Sequence, residues 1–125
     1  MIKIYPILEE IKTALKSLNF KSLKIGLEKG ADKSINTPLC RIVVEEEIDK
    51  GVLSDLIIQI VIGFDTKNDY EKLYSEFFEA VFRVKKILLS LPYKIELLNT
   101  ITDEDRLNNI KAGIIRVKFK DLNED

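Results

Sequence analysis

A chain of 125 residues, 46% hydrophobic and 33% charged, has the size and composition of one globular domain that needs no covalent staple. Its 20 basic and 21 acidic residues leave a net charge of −1, with one cysteine and no histidine. These numbers exclude an internal disulfide, a disordered polyelectrolyte, and any chemistry that needs a histidine base or a Cys/His zinc site.

The sequence predicts a single domain over residues 1–125. No leader with a basic segment followed by an apolar one is expected, and the longest apolar stretch, 56–64, is too short to span a bilayer as a helix. The lone Cys40 points to a reducing compartment. Charge is uneven. Residues 1–41 carry eight basic and four acidic side chains, 42–82 three and ten, and 83–125 nine and seven. A solvated surface explains this, and so does a subunit with opposite patches that attract head to tail.

Ile4, Ile7, Leu8, Ile11, Leu15 and Leu18 have helical spacing, and Pro6 fits only in a first turn, so a helix is expected from about residue 4 to just before Asn19. Residues 22–28 alternate as a strand, and 29–38 read as a loop. Residues 39–46 form the next strand, with Cys40, Ile42 and Val44 inward. Asp49, Lys50 and Gly51 mark a hairpin, and 53–65 are a strand with Leu56, Ile58, Ile60, Ile62 and Phe64 inward. Asn68 and Glu71 signal a helix start. Tyr70, Leu73, Tyr74, Phe77, Val81, Val84, Leu88 and Leu91 form its stripe, and Pro92 ends it. Residues 93–98 read as a strand, 99–109 as a polar loop, 112–119 as a last strand with Ile115, Val117 and Phe119 inward, and 121–125 as a frayed end. The expected fold is α+β, a mostly antiparallel five-stranded sheet with two helices packed on one face, in the order α-β-β-β-α-β-β.

The five glycines are isolated, so no phosphate-cradling loop is present. Asp103, Glu104 and Asp105 offer oxygen ligands for Mg2+ or Ca2+, but without the spacing or glycine of a calcium loop; a solvated loop is the simpler reading. Glu45, Glu46 and Glu47 suit an exposed strand tip or a guarded edge. Cys40 reads as a small buried hydrophobe. Arg83, Lys85 and Lys86 suit the C-terminal end of a helix dipole. Arg116, Lys118 and Lys120 share an outer strand face that could touch phosphates, but no aromatic residue interleaves with them to stack bases, so direct nucleic-acid binding is not expected. No metal or cofactor is expected.

Hydrophobic residues exceed what this fold needs. Phe78, Phe82 and Leu89 are displaced from the helix stripe, and Leu39, Val43, Ile57, Val61 and Ile114 fall on the outer sheet face, where an antiparallel sheet is usually more polar. Either the chain covers them itself or another subunit does.

The order of a leading helix, a hairpin region, the strand Leu56-Ile57-Ile58-Gln59-Ile60-Val61-Ile62, the helix opening at Asn68-Asp69-Tyr70 and a closing strand pair resembles the tail-terminator (tail-completion) proteins of long-tailed phages. The acidic Thr102-Asp103-Glu104-Asp105 between the last two strands adds to the likeness, which covers nearly the whole chain. The resemblance implies a non-enzymatic homo-oligomeric ring, commonly a hexamer, that caps the tail tube and meets the head connector. It implies assembly in the host cytoplasm and residence in the virion tail. The interface candidates are then Leu39, Val43, Ile57, Val61, Phe78, Phe82, Leu89 and Ile114, with Asp103, Glu104, Asp105 and Arg106 in the acidic segment. Two other readings stay open: a small metal-assisted hydrolase using Asp103, Glu104 and Asp105, and a nucleic-acid-binding regulatory module using Arg116 and Lys118.

Overall fold

A computed structural model describes residues 2–27, 37–65, 70–107 and 110–123, without the side chains at 70, 103–107 and 110. The elements are α1 (Ile4–Leu15), continued by a 3-10 turn (Lys16–Leu18), β1 (Ser22–Ile25), β2 (Leu39–Lys50), β3 (Leu53–Asp65), α2 (Tyr70–Leu89), β4 (Lys94–Leu107) and β5 (Ile110–Asn123). They form one five-stranded sheet in the order β1-β2-β3-β5-β4. The α+β class and the order α-β-β-β-α-β-β match the sequence reading.

The sheet is mixed. β1 pairs with β2 in parallel, Ser22 opposite Leu39 and Ile25 opposite Ile42, while the other pairings are antiparallel. The intervening residues 26–38 are long enough for the chain to return in the same direction, which a tight hairpin cannot do. Between β2 and β3, by contrast, Lys50 pairs with Leu53. Gly51 takes φ 89° at the first position of that two-residue turn, where a primed turn favours glycine.

α1 buries Ile7, Leu8, Ile11 and Leu15. It tightens into the 3-10 turn and stops at Asn19, whose φ of 59° is left-handed, a conformation asparagine tolerates better than most residues. α2 buries Leu73, Phe77, Val81, Val84 and Leu88. Both helices contribute to one core with the inward residues Cys40, Ile42, Leu56, Ile58, Ile60, Ile62, Ile115, Val117 and Phe119. The expected N-cap Asn68 lies outside the described residues, as does most of the expected loop 29–38.

The largest difference from the sequence reading is at residues 99–109, expected as a loop. β4 runs through Leu107, pairing Thr100 with Ile115 and Ile101 with Ile114, and breaks register between Leu97 and Asn99 and again between Asp103 and Leu107. The polar composition argued for a loop. The adjacent edge of β5 supplies backbone partners, and the β-branched Thr100, Ile101 and Thr102 suit a pleated surface. β2 and β5 also extend past their expected ends, so residues 121–123 are strand, not a frayed tail.

Phe77 sits over Gly113 on the inward face: a Cβ added at Gly113 would fall 2.1 Å from Phe77 Cζ. The expected result of Gly113→Ala is a loss of about 1–3 kcal/mol, the usual range for overpacking. Urea denaturation of the two proteins, compared at equal m-value, checks it.

Candidate interaction surface

The described residues contain no group of three or more Cys, Asp or Glu able to hold a metal. Asp103, Glu104, Asp105 and Arg106 are on the far half of β4 by backbone, and their side chains lie outside the described residues. No helix is long and apolar enough to cross a membrane.

The outer sheet face is less bare than the sequence suggested. Leu39, Ile57 and Ile114 are at most 8% exposed, and Val43 and Val61 are half-buried. Ile57 stands between Glu46 on β2 and Lys118 on β5. Long charged side chains lay their stems on such neighbours. Leu39, Ile57 and Ile114 are therefore covered within the protomer and do not belong to a free surface. Val43, Val61 and the 39%-exposed Ile101 remain as a partly open strip.

Arg41, also on this face, is fully buried. It donates from Nη1 to the carbonyls of Ser22 (3.0 Å) and Cys40 (2.9 Å), and from Nη2 to Ser22 Oγ (3.0 Å). It thus fastens the short parallel β1 to β2.

Two cations of the outer row, Arg116 and Lys120, are engaged by carboxylates. Arg116 binds Glu45 through Nε (2.8 Å) and Nη2 (2.7 Å), and donates from Nη1 to Asn99 Oδ1 (2.9 Å). Gln59 also donates to Glu45 Oε1. These hydrogen bonds from Arg116 and Gln59 hold the Glu45 carboxyl down at about 2. Lys120 lies 3.7 Å from Glu96. Glu45, one of three consecutive acids, is thus a cross-strand anchor in a bulge of β2 that falls between Val44 and Glu46.

A second network closes the opposite end of the sheet. Asp121, in a left-handed conformation with φ 55°, donates its backbone N–H to Asp55 Oδ1 at 2.9 Å. Lys50 Nζ meets Asp121 Oδ1 at 2.7 Å and Asp55 Oδ1 at 3.0 Å, and Lys94 meets Asp121 Oδ2 at 3.3 Å. The Asp121 backbone N–H and Lys50 lower the Asp55 pKa; Lys50 and Lys94 lower that of Asp121. Nothing in sequence spacing links these four residues.

The most exposed large apolar residues of α2 are Tyr74 (38%), Phe78 (47%), Phe82 (61%) and Leu89 (55%). Phe78, Phe82 and Leu89 were expected off the main stripe; Tyr74 was expected on it and instead joins them. α1 and its 3-10 turn pack along the other side of α2, where a cleft of about 470 Å³ opens between Leu18, Phe20 and Phe64 and the Glu79–Arg83 pair. The exposed stripe lies on the side of α2 toward β5 and β4. There Lys111 of β5, only 1% exposed, places Nζ 4.8 Å from the Tyr74 ring centroid and 5.6 Å from that of Phe77. Tyr74 and Phe78 stack at 6.1 Å and 10°, and Phe77 meets Phe78 edge-on at 5.1 Å. The stripe is anchored to the core through these ring contacts. Lys111 continues the inward alternation of Gly113 and Ile115 one step before Ala112, where the strand was expected to start.

With this geometry in view, no protein-family model and no curated protein matches the chain.

Two outcomes are expected. Glu45 titrates near 4.5 when unperturbed and near 2 in the fold. Its contribution to stability is therefore complete above about 4.5 and fades as pH falls toward 2, because the unfolded chain takes up the proton first. Denaturation midpoints at pH 7 and pH 3 should differ less for Glu45→Gln than for the unaltered protein. Burial pushes the Cys40 thiol up to about 12. At pH 8 a thiol reagent should leave the native protein unmodified and label it fully in denaturant, as mass spectrometry would read.

Proposed function

We propose that this chain is a structural subunit that works by associating with copies of itself, and not by catalysis. The observation that carries the reading is the Tyr74-Phe78-Phe82-Leu89 stripe, apolar, open to water and anchored by ring stacking. Solvent-facing aromatics on a rigid helix are the usual anchors of protein interfaces. The absence of histidine agrees with a role carried by surfaces. Engagement of Arg116 and Lys120 by Glu45 and Glu96 weighs against phosphate contacts on the outer row.

In its finer form, the assembly is the ring that ends a phage tail tube and meets the head connector. Support for that form comes from the order of elements, helix, three strands, helix, two strands, which resembles the tail-terminator proteins. A ring also needs a head-to-tail contact whose rotation closes. Val43, Val61 and Ile101 on the outer sheet layer offer apolar surface for it.

Light scattering over a dilution series is expected to give an oligomer at micromolar concentration. Phe82→Glu, at a position too exposed to disturb the core, should shift it to a smaller species. A wild-type monomer at every concentration, with or without a tail-tube protein, would reject the reading.

A further inference from the structure

The sheet breaks register at four places, and each includes backbone that has a neighbouring strand on one side only among the described residues. In β2 the extra residue is Glu45, between the pairs Val44–Ile58 and Glu46–Ile57. β1 has ended by then, its last partner on β2 being Ile42. β4 is the strand at the opposite edge. There Leu98 is extra between Leu97–Val117 and Asn99–Arg116, and the residues between Asp103 and Leu107 stand against the single Lys111. In β5 a bulge sets Lys120 and Asp121 against Asp55 of β3. Lys120 is the last residue to pair with β4, and Asp121 is past it. The φ of 55° at Asp121 is the left-handed conformation that one class of bulge uses. Where strands have neighbours on both sides, as in β2 over Leu39–Ile42 and β5 over Ala112–Phe119, neither carries an extra residue.

Two physical accounts compete. A bulge costs less where no second neighbour is disturbed, which explains position alone. A bulge also bends its strand and breaks the ladder, which keeps an edge from pairing with another chain. Edge length favours the second account. β4 has 14 residues, an edge of roughly 45 Å at the rise of a strand, long enough to template pairing. Its bulges cut this edge into Lys94–Leu97 and Asn99–Asp103, and Glu45 leaves Glu46–Lys50 on the open part of β2, so these stretches hold at most five residues in one register. β1, four residues long, is already that short and has no bulge. A bulge that is merely tolerated has no reason to keep to such intervals.

We propose that these bulges keep the open backbone of the sheet from adding a strand of another copy, so that this chain does not assemble by extending its sheet. The inference does not depend on the self-association reading. It goes beyond that reading by restricting contacts between copies to the faces of the molecule.

Deleting Leu98 tests it. The deletion joins Leu97–Val117 directly to Asn99–Arg116 and leaves the residues on either side in their present pairing. With its fold verified by circular dichroism, the deletion variant is expected to reach roughly twice the mass of the unaltered protein in light scattering at equal concentration. Amides of β4 should exchange about tenfold more slowly in its concentrated than in its dilute solution. Leu98→Gly keeps the extra residue without its side chain and should match the unaltered protein in both measurements. A folded deletion variant with the mass of the unaltered protein at every concentration would overturn the proposal. Equal association of Leu98→Gly would also overturn it, because the side chain and not the bulge would then be the guard. Slower exchange along β4 or Glu46–Lys50 in concentrated unaltered protein would overturn it too, by showing the edges already paired. If the Leu98 deletion does not fold, that exchange measurement and the deletion of Glu45, which joins Val44–Ile58 to Glu46–Ile57 in the same way, decide the matter. An unaltered protein that stays monomeric rejects self-association alone, so the two readings fail separately.

Discussion

The seat of Phe77 over Gly113 decides how the helical layer meets the sheet. Ile62 and Ile115 crowd the positions around Gly113, and an inward side chain there would collide with the ring. The absence of a Cβ lets α2 drop onto the strand at one rotation. That rotation puts Leu73, Phe77, Val81, Val84 and Leu88 inward and leaves the arc of Tyr74, Phe78, Phe82 and Leu89 facing water. A helix turned by one residue, about 100°, would bury Phe78 and expose Phe77. The exposed stripe is thus a consequence of the best core packing and not of a shortage of places to pack.

Sheet width bears on why no other described element covers the stripe. Five strands span roughly 20 Å across at about 4.8 Å spacing, and two helices packed 8–10 Å apart cover only the middle of that span. α1 lies against β1 and α2 against β3 and β4. The inward Ile95 and Leu97 of β4 are only half-buried.

Periodicity made most of the fold legible. The 3.6-residue pattern located both helices, and strict alternation in β3 set its inward face, because those side chains answer to one buried layer whatever the topology. What was missed depended on distant partners. β1 became parallel through the length of the following segment. Residues 99–107 became strand because β5 offered an open edge. Arg41 is buried because Ser22 and Cys40 supply acceptors, which no local pattern reveals. Within the candidate surface, Phe78, Phe82 and Leu89 were visible as an excess over the core stripe. Tyr74 was not, since its helical position is 60° from Phe77 and only packing decides on which side of the boundary such a residue falls. Leu39, Ile57 and Ile114 were misread for a related reason: residues on a nominally solvated face can be sheltered by their neighbours, as Ile57 is between Glu46 and Lys118.

The pattern of charge pairing separates support from surface. Glu45, Asp55 and Asp121 are each held by nearby donors, joining β2 to β5 at one place and the β2–β3 turn to the start of β4 at another. Such carboxylates fasten one strand to another, and their partners are not available to an incoming molecule. Along α2 the pairs fall on the flank away from the aromatic stripe, between Glu79 and Arg83 and between Lys72 and Glu76. On the stripe side Lys85 and Lys86 have no carboxylate partner among the described residues, next to the exposed Leu89 and one to two turns beyond Phe78 and Phe82. A charged guard against random aggregation would be spread among the aromatic residues. Placed toward one end, it leaves the aromatic centre open.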